Sequence, residues 1–325
     1  MKRLLFVTKG AESASSRYRA LQYFSRWRAA GFEPSHISPS GGAAAVAAML
    51  KAAAASDIVI VVRKTFPAPL LWLLRRASRR LLFDFDDAIF CNTDGSPSAT
   101  RMARFGAMVR ACDRVLAGNR YLADEAARFT AHVTVVPTCI EPGNYPDKLA
   151  RDDGDTELVW IGSSSTRKYL DEALPWLAQA AVAVAGLRLK VVADFAPACP
   201  GLAVLPVSWR ADSETRELAL ADIGIAPMRD DDWTRGKCAL KVLQYMAAGL
   251  PVISSDAGAN REIVLPEETG LLVATPSEWI DAIARLAAQP ALRQAIGQAG
   301  RSRARREYSL DAGFARQCAA VEALF

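Results

Sequence analysis

The sequence has no Cys-x-x-Cys pair and only two histidines, His36 and His132, so the ligand spacing of a zinc site is missing. Its six cysteines, Cys91, Cys112, Cys139, Cys199, Cys238 and Cys318, are scattered singly and indicate no oxidising compartment. Long apolar runs are missing too. The run behind Lys2 and Arg3 ends at Val7, too short for a signal peptide, and residues 41–55 are mostly alanine with Lys51 among them. Nothing approaches the roughly 18 apolar residues of a spanning helix. Glycine and proline, 20 and 17 of 325 residues, are too few for a low-complexity chain. The fingerprint Gly-x-Gly-x-x-Gly follows neither the first apolar run, where the loop reads Lys9-Gly10-Ala11-Glu12, nor the run at 157–161, which disfavours a nicotinamide oxidoreductase. Base-edge readers and stacked aromatic platforms are not evident, so no nucleic-acid partner is expected. A globular, cytoplasmic chain remains.

With 325 residues, 51% of them hydrophobic, the expectation is two domains, each with a sizeable core. Charge divides unevenly. Residues 1–148 carry 21 basic and 12 acidic side chains, whereas 149–325 carry 19 and 23, so a basic half suits an acidic partner. Short apolar runs at 3–8, 57–62, 81–85, 114–117 and 133–136 alternate with helical stretches at 15–30, 67–77, 99–112 and 120–129, the pattern of a parallel α/β sheet. A polar stretch at 141–155, with Asp152, Asp153 and Asp155 crowded together, predicts a linker. The alternation restarts with strands at 157–161, 187–193, 203–205, 223–226 and 251–254, and the tail from Pro290 is helical with a break near 308–310.

Ligands of open parallel sheets bind beyond the carboxyl ends of strands, so the residues just after each strand carry the chemistry. The loop Gly162-Ser163-Ser164-Ser165-Thr166-Arg167 offers small residues and hydroxyls to an anion at a helix start; the alternative is a serine-rich cap. Further on, Lys237 and Lys241 are four apart, predicting one helix face whose cations need an anion beside the free backbone N–H groups; otherwise they are solvated surface. In Asp84-Phe85-Asp86-Asp87, alternation sends Asp84 and Asp86 to one side and Asp87 to the other. Asp86 or Asp87 is then a cleft carboxylate, a helix cap or a metal ligand. Arg17, Tyr18 and Arg19 follow the first strand, toward the same cleft. Trp209, after the strand at 203–205, is a base-stacking or a core residue. Residues 70–80 mix Trp72 and leucines with Arg75, Arg76, Arg79 and Arg80, suited either to an anionic lipid surface or to a core-facing helix.

The stretch from Trp233 to Val252, together with Trp160-Ile161-Gly162-Ser163-Ser164-Ser165-Thr166, residues 83–90, residues 16–23, Pro137-Thr138-Cys139-Ile140-Glu141, residues 258–264 and Gly270-Leu271-Leu272, resembles bacterial family 4 glycosyltransferases of GT-B architecture. The likeness covers nearly the whole chain. It implies two doubly wound Rossmann-like domains facing a central cleft: residues 1–148 for the acceptor, joined by a C-terminal helix at about 309–325 that crosses back, and 149–308 for a nucleotide-diphosphate sugar. It implies transfer of a sugar to an acceptor hydroxyl with retention, without metal or cofactor, in cell-envelope or surface glycan synthesis. The donor would be held by Gly162, Ser163, Ser164, Arg167, Arg235, Gly236, Lys237, Cys238, Ala239, Leu240, Lys241 and Gln244, and a glycan or lipid-linked acceptor by Arg17, Tyr18 and Arg19. Asp86 and Asp87 would serve catalysis, while the segment at 70–80 is what suggests peripheral contact at the inner face of the membrane. Three departures stand out. Gln244 takes the place of a ribose-binding glutamate, Gly236 that of an acidic residue near the donor sugar, and Ser163 that of an arginine. Arg167, Lys168, Lys237 and Lys241 are the cations available in compensation. The replaced acids also leave open a nucleotide-sugar-binding protein without turnover.

Overall fold

A computed structural model of the chain describes residues 1–149, 151 and 154–325; Asp152 and Asp153 of the expected linker lie outside the described residues. Two compact units are present. The first comprises Met1–Cys139, Asp231–Cys238 and Leu310–Phe325, and the second Ile140–Asp230 and Ala239–Ser309.

In the first unit, β1 (Lys2–Val7), β2 (Phe32–Ile37), β3 (Ile58–Val62), β4 (Arg80–Phe85), β5 (Arg114–Ala117) and β6 (Val133–Val135) form one parallel sheet in the order β2-β1-β3-β4-β5-β6. Helices cover both faces, which is why β3 is apolar at every position and wholly buried. Alternate residues face opposite ways: Leu5, Val7, Val59, Val61, Phe83 and Phe85 meet one core, while Leu4, Phe6, Ile58, Ile60 and Leu82 meet Tyr23 and Trp27 in the other. The C-terminal helix Leu310–Glu322 closes that second core through Leu310, Ala320 and Val321. It approaches closely at Gly313, where a Cβ would lie 2.7 Å from Cys139 Sγ.

Several features depart from the expected elements, among them the helix Ala43–Ala54 and the strand Gly270–Val273, which no expectation named. Strand β2 is additional, its apolar signal broken by Glu33, Pro34 and Ser35; it pairs only with β1, and an edge strand tolerates proline. The helix expected over 15–30 is divided into Ala14–Arg19, a 3-10 turn at Leu21–Tyr23 and Phe24–Ala29, because the buried Ala20 leaves helical geometry.

The second unit has the parallel order β12-β11-β10-β7-β8-β9, from β7 (Thr156–Ile161), β8 (Leu187–Ala193), β9 (Ala203–Ser208), β10 (Ile223–Ala226), β11 (Val252–Ser255) and β12 (Gly270–Val273). Leu158 and Trp160 pack on Leu170, Leu177, Trp279 and Ile283, while Val159 and Ile161 face Val242, Tyr245 and Met246. Strand order reverses between β1 and β3 in one sheet and between β7 and β10 in the other. Such reversals open a crevice at the carboxyl ends of the strands. Among the described residues no helix is long and apolar enough to cross a membrane.

Candidate functional site

At the β7/β10 reversal, the residue leaving β7 is Gly162. A Cβ there would come within 2.3 Å of the Trp160 ring, so glycine alone lets the backbone pass over the indole. Lys241 also meets that ring, its Nζ 4.1 Å from a Trp160 ring centroid. The two candidate donor residues thus share one buried aromatic. One turn on in the same helix, Leu240–Ala247, the Tyr245 hydroxyl accepts from Ile161 N–H at 2.9 Å and donates to the Ile225 carbonyl at 3.2 Å. Those two bonds tie the helix to the ends of both strands.

The polar groups of the loop are engaged with neighbours. Ser164 donates its N–H (2.7 Å) and hydroxyl (3.0 Å) to Asp194, the residue after β8, and these bonds hold the Asp194 carboxyl below its ordinary range. The Ser163 and Ser165 hydroxyls meet at 2.8 Å. Arg167 stacks on Phe195 and pairs with Asp171 at 3.1 Å, while Lys168 lies by the Tyr169 ring. Gln244, only 5% exposed, donates to one Glu214 oxygen, and Trp209 Nε1 donates to the other, each at 2.5 Å. A carboxylate from the next helix therefore stands against the glutamine, with the exposed Trp209 indole beside it.

In the first unit the three aspartates have separate fates. Asp84 is 1% exposed and takes a bidentate pair from Arg19 at 2.7 and 2.9 Å, while a third Arg19 nitrogen reaches the Val136 carbonyl. Arg19, expected toward an acceptor, is thus wholly buried. Burial pushes the Asp84 carboxyl up to about 6 against the opposing pull of Arg19. Arg17 is exposed beside the Tyr18 ring. Asp87 is buried between Arg63 and Lys237, whose Nζ lies 3.0 Å away. Asp86 lies 3.9 Å from Arg63 Nε and keeps Oδ1 buried without a hydrogen-bond donor. Among the described residues no group of three or more His, Cys, Asp or Glu is gathered for a metal ion.

Lys237 and Lys241 do not share a helix face. Ala239, at φ 49°, breaks the segment between the short helix Asp232–Arg235 and the helix Leu240–Ala247, and the two lysines fall in different units. The piece Asp231–Cys238 is fastened to the first unit by Asn119, whose amide donates to the Arg235 and Lys237 carbonyls, both at 3.0 Å. Cys238 Sγ–H reaches the Asp86 carbonyl, and a Cβ on Gly118 would strike that sulfur at 2.4 Å. Gly236 lies so close to Ala88 that a Cβ would be 2.5 Å from the alanine's own, which explains why no acidic side chain stands there. Burial and Arg63 bring the Lys237 amine down to about 8.

Residues 120–289, just over half of the chain, match the family model of the glycosyl transferases group 1. The chain belongs to this family. It is a glycosyltransferase, and its two parallel sheets form a GT-B fold. Among solved structures it is similar to sucrose-phosphate synthase from Thermosynechococcus elongatus, with a TM-score of 0.78 at 15% identity, covering 100% of this chain and 99% of that one. It is similar also to Anabaena Alr3699/HepE in complex with UDP, with a TM-score of 0.73 at 14% identity over 99% and 100% of the two chains. The HepE complex with UDP-glucose gives 0.70 at 13% identity over 100% and 99%. No curated protein sequence matches the chain.

Sequence reasoning missed Arg63, the partner of Asp86 and Asp87, and three further residues of this glycosyltransferase. Asp194 directly follows a strand, the position that the strand-end rule marks out. Asn119 stands between a strand and a helix, where its Oδ1 caps Leu122 N–H, and the cap signal hides its second task. Glu214 reads as an ordinary first-turn acid, and its contact with Gln244 spans 30 residues.

Proposed function

We propose that this glycosyltransferase moves a hexosyl or related sugar from a nucleotide-diphosphate donor to an acceptor hydroxyl, with retention and without a metal, in the synthesis of cell-envelope or surface glycans. The observation that carries the donor reading is the meeting of Gly162 and Lys241 on Trp160 at the reversal of the second sheet. HepE with UDP and UDP-glucose is the precedent for such a donor. On this reading Lys241 supports the leaving diphosphate, the Ser164 N–H exchanges Asp194 for a phosphate oxygen, and the nucleoside lies toward Trp209 and Glu214. The leaving diphosphate can assist deprotonation of the acceptor, so electrostatic support of that group is the protein's main duty. Asp86, with its undonated buried oxygen, is the carboxylate for the acceptor side, and Asp87 positions Lys237 and Arg63. Peripheral contact at the inner face of the membrane fits the helix Ala68–Ala77, which exposes Trp72 (62%) and Leu73 (43%) near Arg76.

The test is a nucleotide-sugar panel read by calorimetry and by transfer. Lys241→Ala should weaken UDP binding by about tenfold or more, the worth of a charge-assisted contact. Asp86→Asn should lose transfer and leave UDP affinity intact. Wild-type affinity in the first variant, or full transfer in the second, overturns the corresponding role. A chain that binds UDP and transfers no sugar from any donor would refute the whole assignment.

A further inference from the structure

The crevice at the reversal of the first sheet has an unusual charge. Val7 lies opposite Val61 in the β1/β3 register, so Lys9 and Arg63 leave neighbouring strands side by side, with Lys64 next in line. Val62 lies opposite Asp84, and Arg63 N–H donates to the Asp84 carbonyl at 2.7 Å. Arg63 sits at φ 50°, a left-handed conformation that costs an arginine strain and tends to survive at functional sites. Arg63 is balanced by Asp87 and Asp86. The side chains of Lys9, Lys64 and Arg101 have no ion-pair or hydrogen-bond partner among the described residues. Arg101 stands in the first turn of the helix Ala99–Ala111, where the helix end is itself positive.

These cations act on one another. Burial first, then Arg63 and Arg101, bring the Lys9 amine below its ordinary value, with Asp86 opposing them. Burial and Lys9 do the same to Lys64. Like charges held together at a strand-end crevice are unfavourable until an anion joins them.

We infer that Lys9, Lys64 and Arg101, backed by Arg63, form a subsite for an anionic group, and that the acceptor of this enzyme carries a phosphate or a carboxylate close to the hydroxyl that receives the sugar. The site deepens the proposed function and rests on it only in treating the ligand as an acceptor. The basic excess of residues 1–148 is its signature in the sequence.

The experiment is calorimetry on the full chain saturated with UDP, using matched ligands. Glucose 6-phosphate against glucose tests phosphate, and glucuronate against glucose tests carboxylate. Vesicles of phosphatidylglycerol against phosphatidylcholine separate lipid-borne from sugar-borne phosphate. In at least one arm the charged member should bind about tenfold or more tightly than its neutral partner, as charge-assisted contacts would require. Lys9→Gln combined with Lys64→Gln should remove that advantage, and Lys9→Arg with Lys64→Arg should keep it. Equal affinity for charged and neutral members in every arm overturns the proposal, as does an advantage that survives the double glutamine variant. UDP binding by the wild type is read separately. UDP binding without an anion preference sinks the subsite alone, whereas an anion preference without UDP binding upholds the subsite and sinks the donor reading.

Discussion

Breaking the Arg19–Asp84 pair should be among the most damaging single changes in the first unit. Both side chains are 1% exposed, the pair is bidentate, and it joins the helix Ala14–Arg19 to the end of β4, while the Val136 carbonyl takes a further Arg19 nitrogen. Removing either partner leaves a buried charge without compensation, at a cost of about 3–5 kcal/mol. Arg19→Met should cost slightly more than Asp84→Leu, because it also strands the Val136 carbonyl, about 1 kcal/mol. Replacing both by apolar residues removes the unpaired charge, so Arg19→Met/Asp84→Leu should be more stable than either single variant. Scanning calorimetry reads this as a fall of roughly 10 °C in the transition of the first unit for each single variant, at about 2–4 °C per kcal/mol for a unit of this size. Strict additivity, with the double variant the least stable, would refute the reasoning. If Arg19→Met melted like the wild type and lost transfer, Arg19 would belong to the acceptor after all.

Three further outcomes are expected. Asp194→Ala should tighten UDP binding, on the order of threefold, because the carboxylate no longer occupies the Ser164 N–H; weaker binding by calorimetry would remove Ser164 from the diphosphate site. Gly236→Ala should destabilise the first unit by about 1–3 kcal/mol in denaturant titration, since the added carbon collides with Ala88, and a neutral result would mean the segment is not seated there. Lys237 holds its proton to about pH 8 in the fold and to its ordinary 10.5 when unfolded, so the native chain binds fewer protons between these values. Stability of the wild type relative to Lys237→Gln should therefore rise with pH across that window, and a flat or falling difference would contradict the burial of this amine.

How much was readable from the sequence depended on range. Strands such as Ile58–Val62 announce themselves because both faces are buried and every residue is apolar. The break before Leu310 was legible from local pattern, as was the strand-end position of Gly162. Phe32–Ile37 was not, since an edge strand needs only one partner and can carry Glu33, Pro34 and Ser35. The expected common helix face of Lys237 and Lys241 failed at Ala239, whose left-handed conformation no local propensity foretells. The burial of Arg19 depends on Asp84, 65 residues away, and the environment of Gln244 on Glu214. Spacing along the chain carries no information about such partners. Conversely, the glycine at 236, a departure from the family pattern, becomes intelligible once Ala88 is seen against it.

The seating of Asp231–Cys238 on the first unit bears on how this enzyme can be recombined with its relatives. Exchange of C-terminal halves at a single crossover near the linker would separate Gly236 and Cys238 from the residues shaped to receive them, Ala88, Gly118 and Asn119. A chimera that carries 231–238 and 310–325 from the same parent as 1–139 keeps each packing surface with its own counterpart. Four junctions, at 139/140, 230/231, 238/239 and 309/310, therefore define the exchangeable pieces, and the eight-residue insert travels against the order of the chain.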